Sequence, residues 1–379
     1  GGMVPTGLGE RTGRWGLAVV VFLHALLHLL GAAKGLGLAE VPALALPVSR
    51  LGGLAWLVAG AGLMATVYRL GSRRASWWAI GIPAATLSQV MILTAWADAR
   101  WGTLINLLVL AVAAHALASR GPWSLRAAYR SEVDVRLRRR ELPVPLTDAD
   151  AAHLPEPVRR YLRASGAIGR ARPAHLRAVW AGKIRAGSTD PWMAFTAEQY
   201  NFVDEPARFF WMSARRAGVP VDVLHEFEGG EAKMRARILS AFSVVDARGS
   251  EATRAETVTL LNDLCLLAPG ALVGPAFGWE VIDGRSARVR YTVGSNAVSA
   301  VLHFDDSGDL MDFVSDDRLV ASPDGRTFTP RRWSTPVSSY QSLDGVRVTR
   351  HGEGRWHPPG ESPFTYIDLD LLELEVAPH

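Results

Sequence analysis

Long apolar runs fill the first third of the chain, and shorter runs in which apolar and polar residues alternate fill the rest. Four of the long runs approach the length of a membrane span, at residues 15–35, 51–68, 77–97 and 104–118. A hydrocarbon core of ~30 Å requires ~20 mostly apolar residues in helical form. The pattern therefore predicts about four transmembrane helices within residues 11–120, the last of them short unless Trp101 lies at the interface.

From about residue 174 the apolar positions recur with a period of two, which is typical of half-buried strands. Turn signals such as Gly229-Gly230 separate about nine or ten such runs, which predicts an antiparallel meander. One helix interrupts it at residues 251–268, where leucines recur at helical spacing. So many strands in one twisted sheet tend to curl into a barrel or half-barrel. The predicted fold class is α+β: a transmembrane helical bundle, then a curled sheet whose cavity is covered by one helix.

A basic, partly helical linker is predicted at residues 121–146, between the membrane part and the soluble part. Trp123 and Tyr129 suit the membrane interface, and the linker arginines suit an anionic leaflet. An amphipathic helix with an apolar edge at Val158 and Leu162 follows. The soluble β-rich domain is predicted to occupy residues 147–379, with this helix packed against it.

Charge changes the picture in two ways. The formal net charge is +4, but much of the excess lies beside the predicted spans, so anionic lipid is a better partner than nucleic acid. If the chain crosses the membrane four times, most of the basic residues outside the spans fall on the same side of it. They are Arg11 and Arg14 before the first span, Arg69, Arg73 and Arg74 between the second and third, and the arginines from Arg120 to Arg140 after the fourth. The positive-inside rule then predicts a plasma-membrane protein with cytoplasmic termini and a cytoplasmic soluble domain. An odd number of spans would reverse this orientation.

Three histidines lie within the predicted spans. His24 and His28 are four apart and share a helix face, and His115 lies on the last span. Intramembrane ionisable residues are candidates for function, here a haem or metal site. Only His24 and His115 come close to the same depth, at ~1.5 Å per residue. The alternative is that neutral imidazoles hydrogen-bond between helices, and both interpretations stay open.

Five blocks in the soluble part carry a family resemblance. They are LPEPVRRYLRASGA (154–167), AEQYNF (197–202), TVTLLNDLCLLAPGALV (257–273), VSDDR (314–318) and RRWSTP (331–336). In this order they resemble DUF6544 (also called DUF6920), a family of uncharacterised bacterial proteins, over about residues 145–375. HALLHLLG (24–31) also resembles a first-span pattern of some members. The resemblance implies domain boundaries and no activity, because none is established for the family.

Polar residues within these blocks are the candidate site. Asp263 lies among leucines on the predicted helix, and burying it costs several kcal/mol unless it is paired. If Asp317 points inward, the two carboxyls are predicted to form a catalytic acid–base pair. If Arg318 points inward instead, it is the candidate for binding an anionic group. The remaining predicted ligand-binding residues are Asn262, Glu198, Tyr200, Trp211, Trp279 and Trp333. The alternative for each is a structural role: a helix fastener, a strand-end salt bridge or plain core.

Cofactor motifs are missing from the sequence. It contains no Gly-rich phosphate loop, no HExxH and no Cys/His cluster with zinc spacing, so neither a cofactor nor a metal is predicted. The single cysteine, Cys265, excludes an internal disulfide and lies among leucines, as an inert buried thiol does. Two functions remain for the soluble part: binding of a hydrophobic small molecule or lipid, or cofactor-independent acid–base catalysis (cyclase, isomerase or hydrolase) on such a molecule. A redox role of the span histidines is a third, weaker option.

Overall fold

The computed structural model describes residues 8–138, 144–343 and 345–378. The chain divides into two compact units, Gly1–Ala127 and Ala128–His379, which we call the helical unit and the sheet unit. Residues 139–143 of the predicted linker, including Arg139 and Arg140, lie outside the described residues.

The helical unit is built from apolar helices. They are α1 (Leu8–Leu36), α2 (Arg50–Gly71), α3 (Trp78–Thr94), the short α4 (Trp96–Ala99) and α5 (Gly102–Arg120); α6 (Leu125–Arg136) leads into the sheet unit. Three helical segments are long and apolar enough to cross a membrane: Arg11–Leu36, Arg50–Gly71 and Gly102–Arg136. The third predicted span, rather than the fourth, is the short one, because α3 has only 17 residues. About four spans were predicted, and three are supported.

Small residues let the first two apolar helices approach closely. A Cβ built on Gly35 would lie 2.6 Å from the Gly53 Cα atom, closer than real contacts allow. Between apolar helices, close backbone approach supplies the packing that a hydrophobic driving force cannot. These glycines therefore explain why α1 and α2 pack along their length.

The sheet unit is a long antiparallel meander with two short helices before it, α7 (Asp148–Ala151) and α8 (Glu156–Ala164). The strands are β1 (Pro173–Ile184), β2 (Met193–Phe202), β3 (Ala207–Arg216), β4 (Val219–Glu228), β5 (Glu231–Ile238), β6 (Phe242–Arg248), β7 (Phe277–Asp283), β8 (Ser286–Val293), β9 (Asn296–Phe304), β10 (Leu310–Ser315), β11 (Leu319–Ala321), β12 (Phe328–Pro330), β13 (Arg332–Ser334), β14 (Val337–Leu343), β15 (Val346–His357) and β16 (Phe364–Pro378). The main sheet runs β6-β5-β4-β3-β2-β1-β16-β15-β13-β10-β9-β8-β7, with β14 beside β15, while β11 and β12 form a separate hairpin.

Helix α9 (Ser250–Leu267) is wrapped by this sheet. It contacts β4, β5 and β6 from one half and β9, β10 and β15 from the other. Within the described residues the edge strands β6 and β7 do not pair, so the sheet is an open half-barrel and the closed-barrel alternative is not supported. The helix was predicted to lie over an open cavity; it is instead buried along nearly its whole length in the concave face, exposed only at Ser250, Glu251 and Arg254.

One core unites the concave face, α9 and α8. Leu260, Leu261 and Leu264 of α9 are 0–1% exposed. The predicted packing of the amphipathic helix is confirmed: the Tyr161 hydroxyl donates a 2.7 Å hydrogen bond to the carbonyl of Cys265. Burial raises the pKa of the Cys265 thiol, as expected for an inert core cysteine.

Candidate functional site

Charged and amide side chains interrupt the apolar concave face directly beneath α9. Side chains alternate along β2, and Gln199 and Asn201 point towards the helix. Asn201 is paired with Arg208 of β3, so Arg208 lies on the same face of the sheet. On α9, Glu256 and Asp263 are seven residues apart, hence two turns apart on one face. We call these residues, together with His225 of β4, the buried polar cluster.

Asp263 is held by three donors from the sheet. Its Oδ2 accepts hydrogen bonds from Arg208 Nε (2.7 Å), Asn201 Nδ2 (3.0 Å) and Gln199 Nε2 (3.1 Å). The Gln199 carbonyl oxygen in turn accepts a 2.9 Å bond from Trp180 Nε1. The Asp263 side chain is 13% exposed, so this carboxylate has exchanged water for fixed donors.

Arg208 links Asp263 to a second carboxylate. Its Nη1 lies 3.2 Å from Glu256 Oε2, and its guanidinium lies over the Phe210 ring at 4.9 Å. Burial disfavours the charged form of Arg208, but the charges of Asp263 and Glu256 outweigh this and raise its pKa. Arg208 is therefore a fully paired, buried cation.

Glu256 also orients an imidazole. His225 Nδ1 donates to Glu256 Oε1 at 2.9 Å. Burial alone would raise the pKa of Glu256, but the charge and hydrogen bond of His225 and the charges of Arg208 and Arg318 hold it well below the usual range. Glu256 therefore stays ionised and holds one ring nitrogen of His225 by a hydrogen bond.

Arg318 provides a different kind of cation. Its guanidinium lies near two indole rings, 5.4 Å from the centroid of Trp333 and 5.8 Å from that of Trp356. Nη1 donates to the Leu319 carbonyl at 3.3 Å, while Nε is buried without a hydrogen-bond partner. Among the residues that the structure describes, no carboxylate lies within 4 Å of Arg318. The Tyr366 ring packs against Trp356 at a tilt of 31°, with 5.1 Å between the ring centroids. It lies close enough to both Arg318 and Arg208 for their charges to act on it.

The two predicted catalytic carboxyls are not brought together. Asp317 Oδ2 accepts bonds from the backbone N–H (2.6 Å) and hydroxyl (3.0 Å) of Ser299, and its Oδ1 pairs with Arg254. Arg254 lies nine residues before Asp263 on α9, which corresponds to ~13.5 Å along the helix axis. The expected carboxylate pair is therefore not formed: Asp317 fastens the start of α9, and Asp263 contacts Arg208.

Asn262 and Trp333 are buried in the core, and Trp279 is half-buried against it. Asn262 Nδ2 donates to the Thr335 hydroxyl at 2.6 Å, which fixes α9 to the loop after β13. Trp333 is 3% exposed and packs edge-on against Phe313. Trp279 Nε1 donates to the Leu272 carbonyl at 3.3 Å, far along the sheet from the buried polar cluster.

Three predicted residues face away from α9. Glu198 and Tyr200 alternate with Gln199 and therefore lie on the convex face, where Glu198 pairs with Arg177 at 2.8 Å. Trp211 is the register partner of Glu198 and shares that face. These three residues do not line the concave face, because successive side chains of a strand point to opposite sides of the sheet. The prediction chose Glu198 and Tyr200, whereas Gln199 and Asn201 are the β2 residues that face α9.

The sequence prediction missed Gln199, Asn201, Arg208, His225 and Glu256. Two signals were available: Gln199 and Asn201 lie in the same AEQYNF block as the residues chosen, and Glu256 precedes Asp263 by two helical turns. Arg208 and His225 carry no local signal, since only strand pairing places them under α9. In the part of the chain that the structure describes, no three His, Cys, Asp or Glu side chains are grouped to hold a metal ion.

The span histidines belong to a separate network in the helical unit. His24 Nε2 lies 3.2 Å from the Ser88 hydroxyl and 3.1 Å from Asn106 Oδ1, while His28 Nε2 lies 2.8 Å from Ser88. His28 Nδ1 donates to the His24 carbonyl at 2.9 Å. These contacts favour the interpretation of imidazoles hydrogen-bonded between helices over axial ligation by His24 and His115.

The fold and the site together define an α+β protein with three helical segments long and apolar enough to cross a membrane. Its open antiparallel sheet holds a buried helix, and a buried ion network links the two. A family model described as "Family of unknown function (DUF6544)" matches residues 144–369, more than half of the chain, and the chain belongs to this family. The family resemblance seen in the sequence blocks is thereby confirmed.

Other comparisons add little. A search of curated proteins gave no match. Among solved structures, a DUF1329 family protein from Desulfovibrio piger is 14% identical (TM-score 0.32), the match covering 62% of this chain and 94% of that one. A putative outer membrane lipoprotein-sorting protein domain from Vibrio parahaemolyticus is 10% identical (TM-score 0.29), covering 54% and 85%. At these TM-scores the likenesses carry no argument about fold or function.

Proposed function

We propose that the sheet unit is a membrane-anchored binding domain for a hydrophobic small molecule or lipid that carries an anionic group. The observation that carries this proposal is Arg318. A guanidinium with a buried Nε and no carboxylate partner among the described residues is costly to keep unless something else supplies the acceptor. The indoles of Trp333 and Trp356 beside it are suited to contact the apolar part of such a molecule.

The buried polar cluster, which holds α9 on the sheet, supports the same proposal. Replacing buried ion pairs by well-packed apolar residues is often neutral or stabilising. Apolar residues at all three positions could therefore hold the helix at least as firmly as Arg208, Glu256 and Asp263 do, although losing one of the three alone leaves a buried charge unpaired. The hydrogen bonds and ion pairs fix the position of α9 on the sheet. They hold it less tightly than apolar packing would, and this suits a helix that shares the concave face with a ligand.

The membrane part supports a location beside the bilayer. We propose four crossings, with α3 as the short third span, because its 17 residues span ~25 Å before the interfacial turns are added. With four crossings the basic loops lie on the same side of the membrane as the sheet unit, and the positive-inside rule supports a cytoplasmic location for both. A hydrophobic ligand would be exchanged with the inner leaflet.

A fluorescent fatty acid tests the proposed ligand class. The full-length protein in detergent is titrated with cis-parinaric acid, and tryptophan energy transfer reports binding above that of empty micelles. The methyl ester of the probe serves as the uncharged control. We expect Arg318→Gln to weaken binding of the acid by ~10-fold or more, since a hydrogen bond to a charged group contributes about 1.5–3 kcal/mol, and to leave the ester unchanged.

Arg350→Gln, which removes an exposed arginine of β15, is the matched control and should bind like the wild type. Equal binding of the acid by wild type and Arg318→Gln, or no binding beyond empty micelles, would rule out the proposal.

Catalysis is the second candidate, because Glu256 fixes His225 in the arrangement of an acid–base pair. The two functions differ in what His225 does. If the domain is an enzyme, His225→Gln should keep cis-parinaric acid binding and abolish conversion of hydrophobic molecules in a cell extract, followed by mass spectrometry. Unchanged mass profiles with wild-type protein would remove the enzymatic alternative.

A further inference from the structure

Three hairpin turns lie side by side at one end of strands β1 to β6. In an antiparallel meander the turns β1–β2, β3–β4 and β5–β6 fall at the same end, and those of β2–β3 and β4–β5 at the other. We call the first three turns, residues 185–192, 217–218 and 239–241 with the strand ends beside them, the tip edge.

Large apolar side chains are exposed along the tip edge. The most exposed is Phe242 at 65%, followed by Leu239 at 43% and Trp192 at 38%. The neighbouring Val219, Ile238 and Val244 are exposed as well. Single exposed apolar residues need no explanation, but a contiguous row of them marks an interaction surface.

The backbone at the tip edge makes this choice of residues unusual. Leu239 has a φ of +53° and Ser240 a φ of +60°, in a turn where glycine and asparagine are the residues that fit. A leucine in the left-handed region is strained, and the Leu239 side chain is nevertheless 43% exposed. Its presence at the turn is explained if the apolar side chain is used outside the fold.

Charge is distributed unevenly between the two ends of these strands. The tip edge carries Arg185, Arg215, Arg216 and Arg237 against the acidic Asp190 and Asp222. The opposite turns carry the acidic Asp204, Glu205, Glu228 and Glu231, two of which pair with Arg136. An anionic surface is therefore attracted more strongly to the tip edge than to the opposite turns.

Trp192 combines both properties. Arg185 lies over its indole ring at 4.4 Å and Lys183 at 5.1 Å. An exposed tryptophan with cationic side chains against it is suited to the headgroup region of a bilayer, where the ring is half buried and the cations reach phosphate.

We propose that the tip edge docks onto an anionic phospholipid bilayer, with Phe242, Leu239 and Trp192 entering the boundary between headgroups and acyl chains. The arginines contact lipid phosphates, and the apolar helices of the same chain keep the sheet unit within reach of the bilayer. This surface is distinct from the residues around α9, so it holds whether or not the domain binds a ligand there.

Site-directed spin labelling of the full-length protein tests this proposal. In a Cys265→Ala background, a nitroxide is attached to Phe242→Cys at the tip edge or to Glu231→Cys, an exposed control at the opposite end. Both proteins are placed in nanodiscs of phosphatidylcholine with or without phosphatidylglycerol. Collision with lipid-soluble oxygen and with the water-soluble complex NiEDDA gives the depth of each label.

The Phe242 label should lose most of its NiEDDA collisions and gain oxygen collisions in the anionic nanodiscs, while the Glu231 label stays in water. Adding Arg215→Gln, Arg216→Gln and Arg237→Gln should return the Phe242 label towards water. Equal NiEDDA access at both positions in anionic discs would overturn the docking proposal. Equal depth in neutral and anionic discs, or no effect of the arginine changes, would overturn the role assigned to charge.

Discussion

Replacing Arg208 by methionine is the sharpest test of the buried polar cluster. Arg208 is 6% exposed and is the cation between Asp263 and Glu256. Methionine fills a similar volume without charge, so it leaves two buried carboxylates without their cation. Removing one partner of a buried ion pair costs about 3–5 kcal/mol. For a unit of this size, a loss of 1 kcal/mol lowers the melting temperature by about 2–4 °C.

The expected result is a fall in melting temperature of roughly 6–20 °C, measured by tryptophan fluorescence of the full-length protein in detergent. The matched control is Arg290→Met, which removes an exposed arginine of β8. Exposed substitutions usually change stability by no more than about 0.5 kcal/mol, so the control should melt within about 2 °C of the wild type.

The pH dependence checks the cause. In the wild type the pKa of Glu256 is lower in the folded than in the unfolded state, so its stabilising contribution is present above the unfolded pKa of about 4.5 and is lost as the pH falls. Without Arg208, burial has less to oppose it, and the pKa of Glu256 rises. His225 and Arg318 still oppose the effect of burial, but acidification neutralises this carboxylate at a higher pH than in the wild type. The deficit of Arg208→Met should therefore shrink as the pH falls from 7.5 towards 5.

Two outcomes would refute this reasoning. A variant that melts within about 2 °C of the wild type would show that Arg208 does not stabilise the cluster. A large deficit that is the same at both pH values would trace the loss to packing, because packing does not titrate.

Three further predictions concern other parts of the molecule. Tyr161→Phe should cost about 1–3 kcal/mol, seen as a lower melting temperature, because it leaves the buried Cys265 carbonyl without its donor. Gly325→Ala should destabilise the β11–β12 hairpin and increase its proteolysis, since φ is +70° and the new Cβ would lie 2.6 Å from a β6 side chain. Single cysteines at Arg74 and Ser188 should be labelled by an impermeant maleimide from the same side of the membrane if the chain crosses four times. Labelling from opposite sides would indicate three crossings.

The parts of the fold that follow from local pattern were predictable. Apolar runs predicted the helices α1, α2 and α5 because an unbroken run of that length has few other stable solutions. Leucine spacing predicted α9. The number of strands was underestimated, because the described residues contain sixteen. Strand β16 was not recognised, since Asp368, Asp370 and Glu373 interrupt the alternation of apolar residues along it.

The candidate site was only half predictable for a physical reason. Asp263 stands out in the sequence because a charged residue interrupts a leucine stripe, whereas Arg208 sits in a strand where a charge is ordinary. Which alternate side chains of β2 face α9 depends on pairing across the whole sheet, and an error of one residue exchanges Glu198 for Gln199. Proximity of Asp263 to Arg208, 55 residues apart in sequence, is a property of topology alone.

Arg318 should behave unlike Arg208 when each is replaced by methionine. Arg318→Met removes a buried Nε donor that has no partner, which relieves a cost of about 1–3 kcal/mol, and also removes contacts with two indoles that contribute about 0.5–2 kcal/mol. These terms nearly cancel, so the melting temperature should change by only a few degrees while cis-parinaric acid binding falls. A residue that is nearly neutral for stability and required for binding is one kept for function. If Arg318→Met instead melts as low as Arg208→Met, then Arg318 is a structural cation, and the ligand proposal loses the observation on which it rests.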